Sequence, residues 1–171
     1  FSYRATDMPT LRHDNRATFA CTGEDATQFL ENLVTCLISE KPAFGALLTP
    51  QGKILFDFFL SPIEGGYRFD CAAEQRDDLI KRLTFYKLRA KVDLTQLDEI
   101  VVTGWGDGEG PEGAFNAPRL TALGWRAYRS TTDAAADDGT WLTHRIDLGV
   151  PELGMDAEAG SVFPHDMSMD Q

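Results

Sequence analysis

The chain has 171 residues, of which 43% are hydrophobic and eleven are phenylalanine, a composition that supports a packed core and excludes an intrinsically disordered chain. Its formal net charge is −11, so it repels phosphate groups, which excludes non-specific binding to nucleic acids or anionic membranes. It has no apolar run of about 18 residues and no basic segment followed by an apolar one near its start. We therefore expect neither a membrane-spanning helix nor a signal peptide.

Three cysteines, Cys21, Cys36 and Cys71, are widely spaced and form no C-x-x-C pair. An odd number at such spacings fits neither a disulfide framework nor a zinc site. Free cysteine is among the residue types most often buried, and two of the three adjoin apolar segments. The sequence therefore predicts three buried, reduced thiols, no metal site and a cytoplasmic protein.

The hydrophobic pattern of the first 104 residues predicts strands that alternate with two amphipathic helices. In chain order we expect a strand at 17–21, a helix with its apolar face from Ala26 to Leu37, strands at 43–48, 54–60 and 67–71, a helix from about Glu74, and strands at 90–94 and 99–104. This order predicts an α+β fold with ferredoxin-like elements, in which an antiparallel sheet carries its helices on one face.

The rest of the chain has a weaker pattern. Residues 104–114 hold five glycines among acidic residues and predict an exposed loop. A strand at 125–129 and an acidic linker at 132–139 precede a helix at about 140–148, and the chain beyond is predicted to be irregular. We expect two subdomains, residues 1–104 and 105–171.

Asp57 is the unusual residue of its strand, because Phe56, Phe58 and Phe59 flank it. A carboxylate in a strand that is apolar on both faces requires a hydrogen-bond or charge partner. Two alternatives remain open from the residues alone. Asp57 either meets a protonated nitrogen of a ligand, or it pairs with an arginine or with backbone N–H groups.

Two further polar clusters stand out. Lys87, Arg89 and Lys91 follow the second helix, where they either complement the helix dipole or hold an anionic group of a ligand. His144 and Asp147 lie three residues apart on one face of the last helix, and a metal site there would need further ligands. The sequence contains no P-loop, dinucleotide-binding fingerprint or serine-hydrolase elbow, which argues against those enzyme classes.

The run from Phe44 to Asp57, F-G-A-L-L-T-P-Q-G-K-I-L-F-D, resembles the YgfZ-type folate-binding proteins. Segments 23–33, 86–92 and 145–164 agree with that family in order and spacing. These proteins are relatives of the glycine-cleavage T-protein, an aminomethyltransferase that uses tetrahydrofolate. The resemblance implies the aminomethyltransferase folate-binding fold. It also implies an accessory protein that helps to assemble or repair iron–sulfur clusters, with assembly proteins or client enzymes as partners.

The same resemblance implies a tetrahydrofolate site. Asp57 matches the T-protein aspartate at the folate reaction centre, while Arg145 and Asp147 fall on its R-x-E-x-G run. Lys53, in the turn before Asp57, and Arg89, in the basic cluster that would hold a glutamate tail, complete the expected folate-binding set. No catalytic residue is predicted for an accessory protein.

The alternative is an enzyme, a tetrahydrofolate-dependent aminomethyltransferase. Phe56-Asp57 favours the accessory protein, because aminomethyltransferases tend to carry two adjacent acids there. The YgfZ-type hallmark, a K-G-C-x-x-G-Q-E run, and a C-terminal β-barrel domain are expected downstream of a segment like 163–166. Neither is present before Gln171, so we expect this chain to be part of a longer protein.

Overall fold

The computed structural model describes residues 10–106 and 110–169, so the predicted loop at 104–114 lies partly outside the described residues. The elements are β1 Thr10–His13, β2 Arg16–Thr22, α1 Ala26–Glu31, β3 Ala43–Leu48, β4 Ile54–Ile63, β5 Gly66–Ala72, α2 Arg76–Lys87, β6 Asp93–Leu97, β7 Ile100–Gly104, β8 Phe115–Asn116, β9 Trp125–Arg129, β10 Ala135–Ala136 and α3 Thr140–Asp147. Short 3-10 turns lie at Ala73–Gln75, Thr121–Leu123 and Pro164–Met167.

The strands form two five-stranded sheets. The first sheet has the order β3-β4-β5-β2-β6 and is antiparallel throughout, while the second has the order β10-β1-β7-β9-β8 and is antiparallel except for the β1–β10 pair. The prediction of an α+β fold with antiparallel strands is confirmed. The division into subdomains at residue 104 stays a prediction, and the second sheet takes strands from both sides of it.

Helices α1 and α2 pack on one face of the first sheet, as the sequence predicts. The core beneath them is aromatic: Phe19 stacks on Phe69 with ring centroids 4.6 Å apart, and Phe58 lies 4.8 Å from Phe69. Leu30 of α1 and Leu79 of α2 close this core from above. Each such side chain contributes about 1.5–3 kcal/mol on burial, so this layer is the main source of stability of the first sheet.

The other face of the first sheet is polar at its centre. Side chains alternate along a strand, so the neighbours of the core phenylalanines point away from the helices. On β4 and β5 these neighbours include Asp57 and Asp70, and Arg16 of β2, three residues before Phe19, lies on the same face. Arg126 and Tyr128 of β9, in the second sheet, contact Asp70 across this layer. The two sheets therefore meet through charged side chains, and this layer holds the candidate site.

Residues 149–169, here called the covering segment, lie along β3 and β4. The Ile54 N–H donates to the Val162 carbonyl at 2.8 Å, and Leu153 and Met167 pack with Ala46 and Ile54. Apart from the turn at Pro164–Met167 the segment is irregular, which confirms the prediction for the end of the chain.

Several predicted boundaries were wrong. Helix α1 ends at Glu31 because Val34 pairs with Leu47 of β3 instead, and the Thr35 hydroxyl accepts the Ala46 N–H at 2.9 Å. Leu37 is consequently 81% exposed rather than on a buried helical face. The strand predicted at 90–94 begins at residue 93, after a turn that closes α2. Strands β1, β8 and β10 were not predicted, since two to four residues give too little alternation to recognise.

Within the described ranges, no helix has the length and apolar character needed to cross a membrane.

Candidate functional site

A cavity of about 40 Å³ lies between the first sheet, the second sheet and α3, at the start of the covering segment. Its polar lining includes four arginines, two acids and a histidine, and its aromatic lining includes two phenylalanines and a tryptophan. These are Arg16, Arg119, Arg126, Arg145, Asp57, Glu152, His13, Phe44, Phe59 and Trp141. A space of this volume admits a few water molecules, and its walls are almost entirely side chains with a charge or a π-face.

Asp70 anchors one wall of the cavity. It is fully buried and accepts hydrogen bonds from Arg16 Nε at 2.8 Å, Arg126 Nε at 2.5 Å and the Tyr128 hydroxyl at 2.9 Å. Burial alone would raise the pKa of Asp70, but the two arginines outweigh it and lower that pKa to about 2. The pKa of Tyr128 is raised well above its usual value by burial and by the Asp70 charge.

The two arginines held by Asp70 lie against Phe59 of the cavity wall. The Arg126 guanidinium lies 4.3 Å from the Phe59 ring centroid, and that of Arg16 lies 5.9 Å away. Cation–π contacts of this kind gain strength where water is excluded. Arg16 and Arg126 are thus fixed by a carboxylate on one side and by an aromatic ring on the other.

Asp57 lies on β4, the strand next to that of Asp70 in the first sheet, and is 6% exposed. Burial raises the pKa of the Asp57 carboxyl, while the charges of Arg16 and Arg119 and a backbone hydrogen bond from Leu153 oppose that rise. Arg16 and Arg119 direct hydrogen bonds to other groups. Asp57 is therefore a buried acid beside two cations, as expected if it pairs with an arginine or with backbone N–H groups. It also lines the cavity, as expected if it meets a ligand.

Arg119 and Arg145 hold the covering segment. Arg119 donates to the Pro151 carbonyl at 2.7 Å and to the Met167 carbonyl at 2.6 Å, with its guanidinium 4.4 Å from the Phe44 ring centroid. Arg145 donates to the Val150 carbonyl at 2.8 Å and to Asp156 Oδ2 at 2.6 Å, and its Nε lies 3.2 Å from Glu152 Oε2. These contacts keep the covering segment over the cavity.

His13 of β1 also lines the cavity. Its Nε2 is 2.6 Å from the Thr103 hydroxyl, and its ring packs edge-on against Trp141 at 5.2 Å. Burial, followed by the positive charge of Arg126, lowers the pKa of His13 to about 4, although Asp137 and Asp70 act in the other direction. His13 is therefore neutral at physiological pH.

Of the five residues predicted to bind folate, the structure brings Asp57 and Arg145 together in the cavity wall. Asp147 is exposed and lies on a different surface of α3, beside His144. Residues two apart on a helix do not share a face, so Arg145 and Asp147 cannot both point into the cavity. Lys53 lies in its turn, 5.7 Å from the Phe163 ring centroid, and Arg89 is exposed after α2.

Five residues of the site were not predicted from the sequence: Arg16, Asp70, Arg119, Arg126 and His13. A usable signal existed for Asp70 and Arg126, because each lies within a strand between two apolar neighbours. Buried charges occur in such positions only when they are paired. Which acid meets which base depends on how the two sheets face each other, and strand patterns alone do not give that arrangement.

The cysteines are free thiols, as predicted. Burial raises the pKa of Cys21 and of Cys71 to about 12. Cys36 is half-buried rather than buried, and burial raises its pKa to about 11. In the part of the chain that the structure describes, no group of three or more His, Cys, Asp or Glu side chains is arranged to hold a metal ion.

Comparison with known proteins identifies relatives in fungi, although no protein-family model matches the chain. The mitochondrial iron–sulfur cluster assembly factor IBA57 homologs of Coccidioides immitis and Aspergillus oryzae are 36% and 32% identical to it, over 52% and 84% of the chain. The homolog of Neurospora crassa is 25% identical over 91% of the chain. The chain spans 25%, 35% and 44% of the lengths of these three relatives, respectively.

Among solved structures, the aminomethyltransferase T of the glycine cleavage system from Bartonella henselae matches with a TM-score of 0.74. The match covers 92% of this chain and 55% of that protein, at 12% sequence identity. The aminomethyltransferase fold that the sequence implies is confirmed.

The relatives contradict one prediction. Each of the three carries "mitochondrial" in its name, so the prediction of a cytoplasmic protein was wrong. That prediction depended on three reduced cysteines, which distinguish an oxidising compartment from a reducing one but not the cytoplasm from the mitochondrial matrix. The chain is thus similar in sequence to iron–sulfur cluster assembly factors and shares the fold of the glycine-cleavage aminomethyltransferase.

Proposed function

We propose that this chain is part of a YgfZ-type accessory protein for iron–sulfur cluster assembly in mitochondria. The observation that carries the proposal is the sequence similarity to assembly factors of that name, which extends over as much as 91% of the chain. Assembly proteins or client iron–sulfur enzymes would be its partners. Because the chain spans less than half of those relatives, the activity of the whole protein is part of the proposal.

The cavity supports an accessory role over a turnover enzyme. Sites that bind small molecules commonly have volumes of roughly 300–1,000 Å³, whereas this cavity has about 40 Å³. Its arginines donate hydrogen bonds to Asp70 and to carbonyls of the covering segment, so protein groups already occupy their donors. The alternative of an aminomethyltransferase depends on fold similarity alone, and a fold does not specify an activity.

Tetrahydrofolate fits the site in its chemistry but not in its volume. The Asp57 carboxylate offers acceptor oxygens to the N–H groups of a pterin ring, and Phe44 and Phe59 offer π-faces. A pterin is nevertheless larger than the cavity. We therefore propose folate binding only to a form in which the covering segment has moved, with Asp57 and Arg145 as contacts. Lys53, Arg89 and Asp147 lie outside the cavity wall and are not part of this proposal.

An assay for aminomethyl transfer to tetrahydrofolate, performed on the full-length protein, separates the two functions. The accessory role predicts no transfer above that of a heat-inactivated sample, while a glycine-cleavage T-protein measured in parallel is active. Sustained turnover would refute the accessory role and establish the enzyme.

A further inference from the structure

A second concave surface lies on the helix side of the first sheet, away from the cavity. This surface, here called the α2 groove, has a volume of about 620 Å³ and runs between α2 and β4. Its apolar lining is Leu55, Phe56, Phe85 and Ala159 of the covering segment, and its basic lining is Lys81 and Arg82. Its volume falls in the range of roughly 300–1,000 Å³ that is usual for binding pockets.

The apolar side chains at this end of α2 are unusually exposed. Phe85, which lines the groove, is 75% exposed. Leu88, at the end of the helix, is 86% exposed and has a φ of 44°, but it lines a different hollow, between α1 and α2. Large apolar groups that project into solvent beside a groove mark binding surfaces more often than scattered exposed residues do.

The charge around the groove is opposite to that of the chain. The charged side chains in its lining are Lys81, Arg82 and Asp78, a net charge of +1, in a protein whose net charge is −11. Lys81 and Arg82 stand one helical turn before Phe85, so the two bases and the aromatic ring lie on the same side of α2. Among the residues that the structure describes, Asp78 is the one acid that lines the groove.

We propose that the α2 groove is a docking site for an acidic segment of a partner protein. An apolar side chain of that segment would enter between Phe56 and Phe85, and its neighbouring carboxylates would meet Lys81 and Arg82. An anionic membrane is the less suitable partner, because the groove is a recess between α2 and β4 that a peptide side chain can enter and a flat leaflet cannot fill. The site is separate from the cavity and goes beyond the role proposed above.

The test uses a short fluorescein-labelled peptide with the repeat Glu-Glu-Leu-Phe and measures its fluorescence anisotropy with the full-length protein. Binding is expected at low salt and should weaken as salt is added, because the charges are exposed. The double variant Lys81→Glu/Arg82→Glu and the single variant Phe85→Ser should each raise the Kd roughly tenfold or more. Matched controls are Lys41→Glu and Ile146→Ser, which change an exposed base and an exposed apolar residue elsewhere.

Two results support the proposal together: a Kd raised roughly tenfold or more in both groove variants, and an unchanged Kd in both controls. Absence of peptide binding would overturn it, as would equal binding of a Lys-Lys-Leu-Phe repeat or equal effects of the control variants. Sedimentation with phosphatidylglycerol vesicles, without peptide binding, would instead identify a lipid-binding surface and also overturn it. Tetrahydrofolate titrations of the groove variants should match those of the unmodified protein, which separates this test from that of the cavity.

Discussion

The contact between the two sheets depends on one carboxylate, and replacing Asp70 with asparagine tests that dependence. Asp70 is fully buried and is the acid to which both Arg16 and Arg126 donate. An asparagine keeps one acceptor oxygen but loses the charge, and it presents an NH₂ group to one of the guanidinium groups. Asp70→Asn therefore leaves two buried cations without the acid that neutralises them.

Breaking a buried ion pair by removing one partner costs about 3–5 kcal/mol. A domain of this kind has a total stability of about 5–15 kcal/mol, so the loss is a large part of it. The midpoint of thermal unfolding should fall by about 6–20 °C. Urea denaturation followed by circular dichroism at neutral pH measures the free energy of unfolding directly, and Asp14→Asn, at an exposed pair with Arg12, provides the matched control.

The effect of pH gives the same prediction a second check. Because the pKa of Asp70 is lowered to about 2 in the folded protein, its contribution is complete above its ordinary pKa of 3.8 and is lost as pH falls towards 2. Asp70→Asn should lack this part of the acid sensitivity. The reasoning is refuted if Asp70→Asn is no less stable than Asp14→Asn at neutral pH.

Three further predictions follow from other parts of the structure. The pKa of His13 falls from 6.5 to about 4 on folding. Between pH 6.5 and pH 4 the unfolded chain therefore binds a proton at His13 that the folded protein does not bind. The free energy of unfolding should consequently fall by about 3 kcal/mol over this range. His13→Gln should remove most of this slope in urea titrations, and an unchanged slope would show that other groups cause it. Asp57→Asn should weaken tetrahydrofolate binding by about 1.5–3 kcal/mol in calorimetric titration, because it removes a charge-assisted hydrogen bond. Unchanged affinity with an intact fold would show that Asp57 is a structural residue. Replacement of Cys21, Cys36 and Cys71 by alanine or serine in the full-length protein should leave the activity of iron–sulfur enzymes in cells intact, because no metal spacing links them. Loss of that activity from a stably folded variant would contradict this.

The sequence predicted the first sheet and its helices well, because long strands with strong patterns define their own faces. The alternation of Phe56, Phe58 and Leu60 with Asp57 and Phe59 is sufficient to place one face against α1 and α2. The sequence was less informative where the structure of a segment depends on which other segment it pairs with. The apolar spacing up to Leu37 is helical, but pairing of Val34 with β3 competes with the helix and prevails.

The candidate site could be predicted only in part for the same reason. Asp57 was recognisable as a carboxylate among phenylalanines, and Arg145 through a family pattern. Asp147 was taken from that same pattern, although its helical position two residues after Arg145 turns it towards solvent. The Asp70 network joins β2, β5 and β9, strands far apart in sequence, so it becomes visible only when the two sheets are placed face to face.

The central claim, that the protein assists iron–sulfur cluster assembly, is tested most directly in cells that lack the full-length protein. The activities of four-iron enzymes should be measured there, relative to the abundance of their polypeptides and to enzymes without clusters. The account predicts that four-iron enzyme activity falls while polypeptide abundance and the control enzymes do not, and that the restored gene reverses the loss. Normal activity of four-iron enzymes in the absence of the protein would contradict it.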